Sequence, residues 1–198
     1  QTLRPLDYTG IEAQRIESLF PAGQVLSFTG TRANRRNLHL EQVRQARVLH
    51  FATHGYFNPD QPDNMGLQLA GVDETGRPIA GFVTLPELFA YPFANQLVVI
   101  NGCDTAMGKQ QAGEGMVGLV RGFLAQGASQ VLSTLWPVAD RASAQFMEYF
   151  YASLLKQGSA GEALREAQLK LRANPRYRNP YYWAPYVLHS ADLDDRIG

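Results

Sequence analysis

The chain has very little cysteine, no excess of charge of either sign and no long apolar run, and each absence excludes a class of protein. Its 198 residues include one cysteine, Cys103. One thiol cannot form an internal disulfide and is too few for a cysteine-based zinc or iron–sulfur site. Cys103 is therefore either an inert packing residue or a reactive thiol.

The charge balance excludes a protein that binds nucleic acid electrostatically. There are 18 basic and 18 acidic residues, so the formal net charge is zero. A nucleic-acid binder normally carries a basic excess or stripe, and we expect no direct binding of nucleic acid. The histidines and acidic residues of the sequence do not occur in a metal-binding spacing such as H-E-x-x-H, so we expect no metal or other cofactor.

No apolar run approaches the about 20 residues that cross a bilayer, and no signal peptide opens the chain. We therefore expect no membrane partner and a cytoplasmic location. The first residue is Gln1 and not Met, so we expect the chain to be a piece of a longer polypeptide.

The length predicts one domain over residues 1–198, at about 150 residues per domain. Apolar runs without alternation are separated by amphipathic segments, a pattern typical of parallel strands covered on both faces. The expected fold is an α/β three-layer sandwich, with a mostly parallel sheet and helices on both faces. The predicted strands are 24–28, 47–53, 96–101 and 130–135; the predicted helices are 11–20, 32–45, a short one from Thr84, 115–126, 140–156 and 160–173; a hairpin turns at 74–76 and an aromatic segment closes the chain at 181–188.

Two polar clusters follow predicted strands, and they indicate where chemistry could occur. His54 and Gly55 follow one strand, and Cys103 and Asp104 follow another. Open α/β sheets place their sites at the carboxyl ends of strands, so neighbouring strands would bring these clusters together. An imidazole beside a thiol can remove its proton and later protonate a leaving amine. The backbone N–H groups of Gly55 and Cys103 are candidate donors to an oxyanion.

The spacing alone leaves an alternative open. A single Cys at the end of a buried strand is often a small core residue, and a histidine there is often a hydrogen-bonded structural one. His50 is expected to pack or bond within the sheet. Only His54 combines a position at a strand end with an adjacent glycine.

Five segments, taken in order along the chain, resemble signatures of the CHAT domain, a family of the caspase-like cysteine peptidase clan related to separase. The segments are VLHFATHG at 48–55, VINGCDTAMG at 99–108, GEG at 113–115, LWPVADR at 135–141 and YYWA at 181–184. Asn101-Gly102 stands where Ser-Ala is commoner before the cysteine of the family.

This resemblance implies a caspase-hemoglobinase fold and a cysteine endopeptidase that acts through a thioester. It also implies a His54/Cys103 dyad and an oxyanion hole formed by Gly55 and Cys103. Family members usually lie at the C-terminal end of bacterial proteins, often behind helical repeats. The implied partners are a protein or peptide substrate and an upstream TPR-like region or other regulatory partner.

Substrate preference depends on four further candidates. Asp140 matches an acidic position that in separase lines the pocket for a basic P1 side chain, although it could equally be the N-cap of the following helix. Asp104 is the second candidate for that pocket. Trp136 and the backbone from Ser133 could pair with an extended peptide, or Trp136 could simply pack at the rim.

A different class of function also fits the fold. The chain could be a catalytically silent caspase-like module that binds or scaffolds a partner. The intact His54 and Cys103 pair favours the peptidase, because loss of activity tends to remove the dyad first.

Overall fold

The computed structural model describes residues 8–56, 65–90, 92–101 and 112–191. Its helices are α1 (Thr9–Ser18), α2 (Arg35–Leu38), α3 (Glu41–Arg44), α4 (Leu85–Leu88), α5 (Ala112–Ala125), α6 (Asp140–Gln157), α7 (Ala160–Ala173) and α8 (Pro180–Trp183). Its strands are β1 (Val48–Ala52), β2 (His54–Tyr56), β3 (Gly66–Gln68), β4 (Phe82–Thr84), β5 (Leu97–Asn101), β6 (Gln130–Thr134) and β7 (Tyr186–Ser190).

The central sheet has four strands in the order β1-β5-β6-β7. β1, β5 and β6 run parallel, and β7 pairs antiparallel with β6 at one edge. All five residues of β5 are buried, as expected for a strand that is covered on both faces. The mostly parallel sheet predicted from the apolar runs is confirmed.

Helices cover both faces of this sheet, which gives three layers. Alternate residues of a strand point to opposite faces, so β5 contributes to two separate cores. Val98 and Ile100 belong to a core with Leu119 and Phe123 of α5. The opposite core contains buried residues of β5, β6, α6 and α7, namely Leu97, Val99, Leu132, Ala142, Phe146, Met147, Phe150, Ala163, Ala167 and Leu171.

A second sheet of three antiparallel strands, β2-β3-β4, continues from the end of β1. Strands β3 and β4 approach closely at Gly66, where an added Cβ would lie 2.0 Å from the carbonyl oxygen of Val83. Between them the predicted turn is confirmed, because Asp73 accepts hydrogen bonds from the backbone N–H groups of Thr75 and Arg77. This small sheet carries His54 as the first residue of β2.

Three predicted elements differ from the structure. Residues 24–28 form no strand, and Leu26 there is 54% exposed rather than covered by the core. The helix predicted over 32–45 is two short helices, because the backbone at Leu40 is extended. The closing segment contains α8 followed by β7, whose antiparallel pairing is set by β6 rather than by its own pattern.

Candidate active site

The ends of β1 and β5 are level with each other at one edge of the sheet. The parallel register pairs Phe51 with Ile100 and Ala52 with Asn101, the last residues of the two strands. His54 follows Ala52 by two positions, and Cys103 follows Asn101 by two positions. Cys103 and Asp104 lie outside the described residues, so the dyad and the second pocket candidate stay predictions.

His54 is held by the three-stranded sheet rather than by a free loop. It pairs with Gln68 of β3, and the next residue, Gly55, is buried and pairs with Leu67. Immediately before them, the Thr53 hydroxyl donates to the backbone carbonyl of Gln68. The backbone that carries His54 is therefore fixed on both sides of the turn from β1 into β2.

Asp140 is the first residue of α6 and not its N-cap. The N-cap position is Ala139, whose side chain makes no capping hydrogen bond. The N-cap interpretation of Asp140 is therefore wrong. Its half-buried carboxylate lies in the first helical turn, where the helix dipole favours negative charge.

Ser133 lies inside the protein and not on an open ledge. It is 1% exposed, its backbone pairs with Val187 of β7, and its hydroxyl lies 3.2 Å from Nε2 of His189. The backbone N–H of Leu135 donates to Pro185 at 2.9 Å. A peptide therefore cannot pair with the β7 side of this segment, and pairing on its other side stays a prediction.

Two hydrogen bonds attach Trp136 and the following Pro137 to Tyr181 of the closing segment. Its Nε1 donates to the carbonyl of Tyr181 at 3.0 Å, and the Tyr181 hydroxyl donates to the carbonyl of Pro137 at 2.8 Å. Trp136 is half-buried, whereas the preceding Leu135 is 54% exposed. These contacts fix the rim between β6 and α6.

A buried polar network, which the motifs did not predict, lies at the end of β5. Glu12 of α1 is 3% exposed. Both oxygens of its carboxylate accept from Nδ2 of Asn101 at 2.8 Å, and Oε1 lies 3.0 Å from Nε2 of His50. Nδ1 of His50 is in turn 2.9 Å from the Tyr151 hydroxyl. His50 was expected to pack or bond within the sheet; its polar partners instead lie in two helices, Glu12 in α1 and Tyr151 in α6.

The network continues from Asn101 into α6 and β7. The Ser143 hydroxyl donates to Oδ1 of Asn101 at 2.6 Å and accepts from the Tyr186 hydroxyl at 3.1 Å. Burial, and secondarily the Glu12 carboxylate, raises the pKa of the Tyr151 phenol. Burial also raises the pKa of Tyr186. Both phenols therefore stay protonated at neutral pH and remain hydrogen-bond donors.

The helical spacing could have shown that Glu12 lies on the buried face of α1. Residues at i, i+4 and i+7 share one face of a helix, so Glu12 lies on the face of Ile16 and Leu19. Ile11, on another face of this helix, is 40% exposed. A carboxylate within a buried stripe needs polar partners, and the sequence does not identify them.

Among the residues that the structure describes, no group of three or more His, Cys, Asp or Glu side chains could hold a metal ion. Within the same residues, no helix is long and apolar enough to cross a membrane.

Comparisons with known proteins agree with the motifs. The model of the CHAT domain family matches residues 1–191. Tetratricopeptide repeat protein 28 of Mus musculus is 36% identical over 111 residues, 56% of this chain and 4% of that protein. Its Homo sapiens counterpart is 38% identical over 98 residues, 50% of this chain and 4% of that protein. The matched region is therefore a small part of two much longer proteins.

Proposed function

The chain belongs to the CHAT domain family, and from that premise we propose that it is a cysteine endopeptidase with His54 and Cys103 as its catalytic dyad. The fold is caspase-like and peptidase-related. The observation that carries the proposal is the register of β1 and β5, which pairs Ala52 with Asn101. Each dyad residue follows its member of this pair by two positions. Two residues span at most about 7 Å, so this connectivity is consistent with a dyad at one edge of the sheet.

The proposed reaction divides peptide hydrolysis into two steps. His54 accepts the proton of the Cys103 thiol, and Sγ attacks the carbonyl carbon of the scissile bond. The C–N bond breaks as the imidazolium returns its proton to the leaving amine, which gives a thioester. His54 then takes a proton from water, the hydroxide displaces the thiolate, and the product acid leaves.

Charge that develops on the carbonyl oxygen needs donors. We assign this role to the backbone N–H groups of Gly55 and Cys103. Gly55 is buried and pairs with β3, so its peptide plane is fixed before substrate arrives. A preorganised donor of this kind contributes about 3–4 kcal/mol to the stability of the transition state.

The preference for Arg or Lys at P1 is assigned to Asp140. The N-cap position belongs to Ala139, and Asp140 lies in the first turn of α6, where the helix dipole favours a carboxylate. Removing one partner of a buried charge-assisted pair costs about 2–5 kcal/mol. Asp104 is the second candidate, and Trp136 with the exposed Leu135 forms the proposed rim for neighbouring substrate residues.

A TPR-like region is the proposed regulatory partner. Support comes from the two relatives, which are both tetratricopeptide repeat proteins and are much longer than the matched region. Such a region would present the substrate or hold the site inactive until a signal arrives.

Mass spectrometry after treatment with a peptidyl acyloxymethyl ketone tests the proposal. We expect an adduct at Cys103 with Arg at P1, much less adduct with Leu at P1, and none in Cys103→Ala or His54→Ala. Asp140→Asn should reduce labelling by the Arg probe but not by the Leu probe. Absence of an adduct on the full-length protein, at a thiol that iodoacetamide still alkylates, would overturn the peptidase in favour of the silent interaction module.

A further inference from the structure

The last two residues of β5 are supported differently from the rest of the strand. The ladder with β1 continues to Asn101, whereas within the described residues the ladder with β6 ends at Val99 and Leu132. The end of β5 therefore has a paired neighbour on one side only. This is the stretch of chain that leads, after Gly102, to Cys103.

The side chain of Asn101 makes contacts beyond the strand ladder, on the same face of the sheet as Leu97 and Val99. Its Nδ2 donates to Glu12 of α1, and its Oδ1 accepts from Ser143 of α6. Both partners are themselves held by further polar contacts, Glu12 to His50 and Ser143 to Tyr186. Asn101 is 5% exposed and Glu12 is 3% exposed, so water does not substitute for these partners.

Packing alone does not account for this cluster. A buried carboxylate is costly unless it is fully hydrogen-bonded, and apolar residues would fill the same volume at lower cost. The cluster instead fixes orientation, because each polar atom accepts only certain partner geometries. Two separate helices, α1 and α6, direct polar atoms at the side chain of Asn101, the last residue of the strand that precedes the cysteine.

We propose that Asn101 is a positioning residue for Cys103, and that Glu12 and Ser143 hold Asn101 in place. The proposal rests on the proposed peptidase function and deepens it. The network keeps the end of β5 at one height and orientation relative to His54 at the end of β1. Helix α1 thereby becomes part of the active-site framework through Glu12, which contacts both Asn101 of β5 and His50 of β1.

Helix α6 offers a matched pair of variants for the test. Ser143 and Ser153 are both buried, at 5% and 4% exposure, and both lie in α6. The Ser143 hydroxyl donates to Asn101, whereas the Ser153 hydroxyl has no hydrogen-bond partner among the described residues. Ser143→Ala therefore removes an anchor of the network, and Ser153→Ala removes a similar hydroxyl without one. Asn101→Ala is less informative, since it leaves Glu12 buried without its main donor and could unfold the chain.

Hydrogen exchange and steady-state kinetics provide the readouts. In Ser143→Ala we expect the backbone amides of Ile100 and Asn101 to exchange about tenfold faster, as for the loss of one buried hydrogen bond. We expect kcat on an Arg-P1 peptide to fall about three- to tenfold with KM unchanged, since the reacting atoms and not the substrate contacts are displaced. Ser153→Ala should change neither quantity.

A second pair on α1 repeats the test from the other side of the network. Glu12→Ala should accelerate exchange at the same amides, and exposed Glu17→Ala should not. Equal exchange and equal kcat in Ser143→Ala and Ser153→Ala would overturn the positioning role. A wild-type chain that does not cleave would overturn the proposed function instead, and the positioning role would then be judged on exchange and on the rate of Cys103 alkylation by iodoacetamide.

Discussion

A methyl group at position 66 has no space in the three-stranded sheet that carries His54. The Cβ of an alanine there would lie 2.0 Å from the carbonyl oxygen of Val83 and 2.9 Å from Cα of Thr84. These are backbone atoms, so no rotamer change relieves the contact. Gly66→Ala must therefore move β3 away from β4.

The size of the effect follows from the geometry. An ordinary contact begins at 3.4 Å, so the strands must separate locally by about 1.4 Å. The neighbouring pair Leu67 and Val83 is fully buried in the core and would lose part of its packing. Two ladder hydrogen bonds at about 1 kcal/mol each, with the packing strain, give a loss of about 2–4 kcal/mol. For a chain of this size, the midpoint temperature of thermal unfolding should fall by about 4–16 °C.

Thermal and urea unfolding of Gly66→Ala and Gly71→Ala measure this loss. An added Cβ at Gly71 meets no atom within 4 Å, and its φ is not positive, so we expect little change there. Because β3 also pairs with His54, we expect Gly66→Ala to lower labelling of Cys103 by the Arg probe even where the protein is folded. Equal stability and equal labelling in the two variants would refute the link between this sheet and the site.

Three further outcomes are expected. In α5, Gly118→Ala should stabilise the protein by about 0.5–1 kcal/mol, because an alanine favours the helix and its Cβ meets no atom within 4 Å. Gly122→Ala should destabilise it, because its Cβ would lie 2.1 Å from the Phe89 ring. The opposite order of stability in urea unfolding would contradict this packing. Thr84→Ala removes the capping box of α4 and should cost about 1 kcal/mol, and an unchanged urea midpoint would count against it. Burial lowers the pKa of His189, so its contribution to stability is present above about pH 6.5 and is lost as the pH falls through the folded-state pKa. Wild type should therefore lose more stability than His189→Gln between about pH 8 and about pH 5, and equal losses would exclude the effect.

The sequence predicted those elements whose signal is local. The apolar run of β5 and the capping box at Thr84 both appear where the pattern placed them. The strand predicted over 24–28 is wrong, because apolar residues alone do not provide a neighbouring strand. β7 was not predicted as a strand because its pairing depends on β6, more than 50 residues earlier in the chain.

The same distinction between local signals and long-range contacts holds for the candidate site. His54 lies at a strand boundary as expected, since a motif and a strand end are both visible in the sequence. Ser133 was assigned to a ledge, but the side of β6 that it uses is occupied by β7. The contacts among Glu12, Asn101 and Ser143 join segments separated by 42 and 89 residues, and no local pattern encodes them.

The pH dependence of Cys103 alkylation tests the dyad most directly. Cys103 is the single cysteine, so incorporation of iodoacetamide reports on this thiol alone. If His54 holds the thiolate as an ion pair, wild type should react well below the ordinary thiol pKa of about 8.5. His54→Ala should lose this reactivity at low pH, and His189→Ala should keep it. Superimposable profiles for wild type and His54→Ala would contradict the dyad.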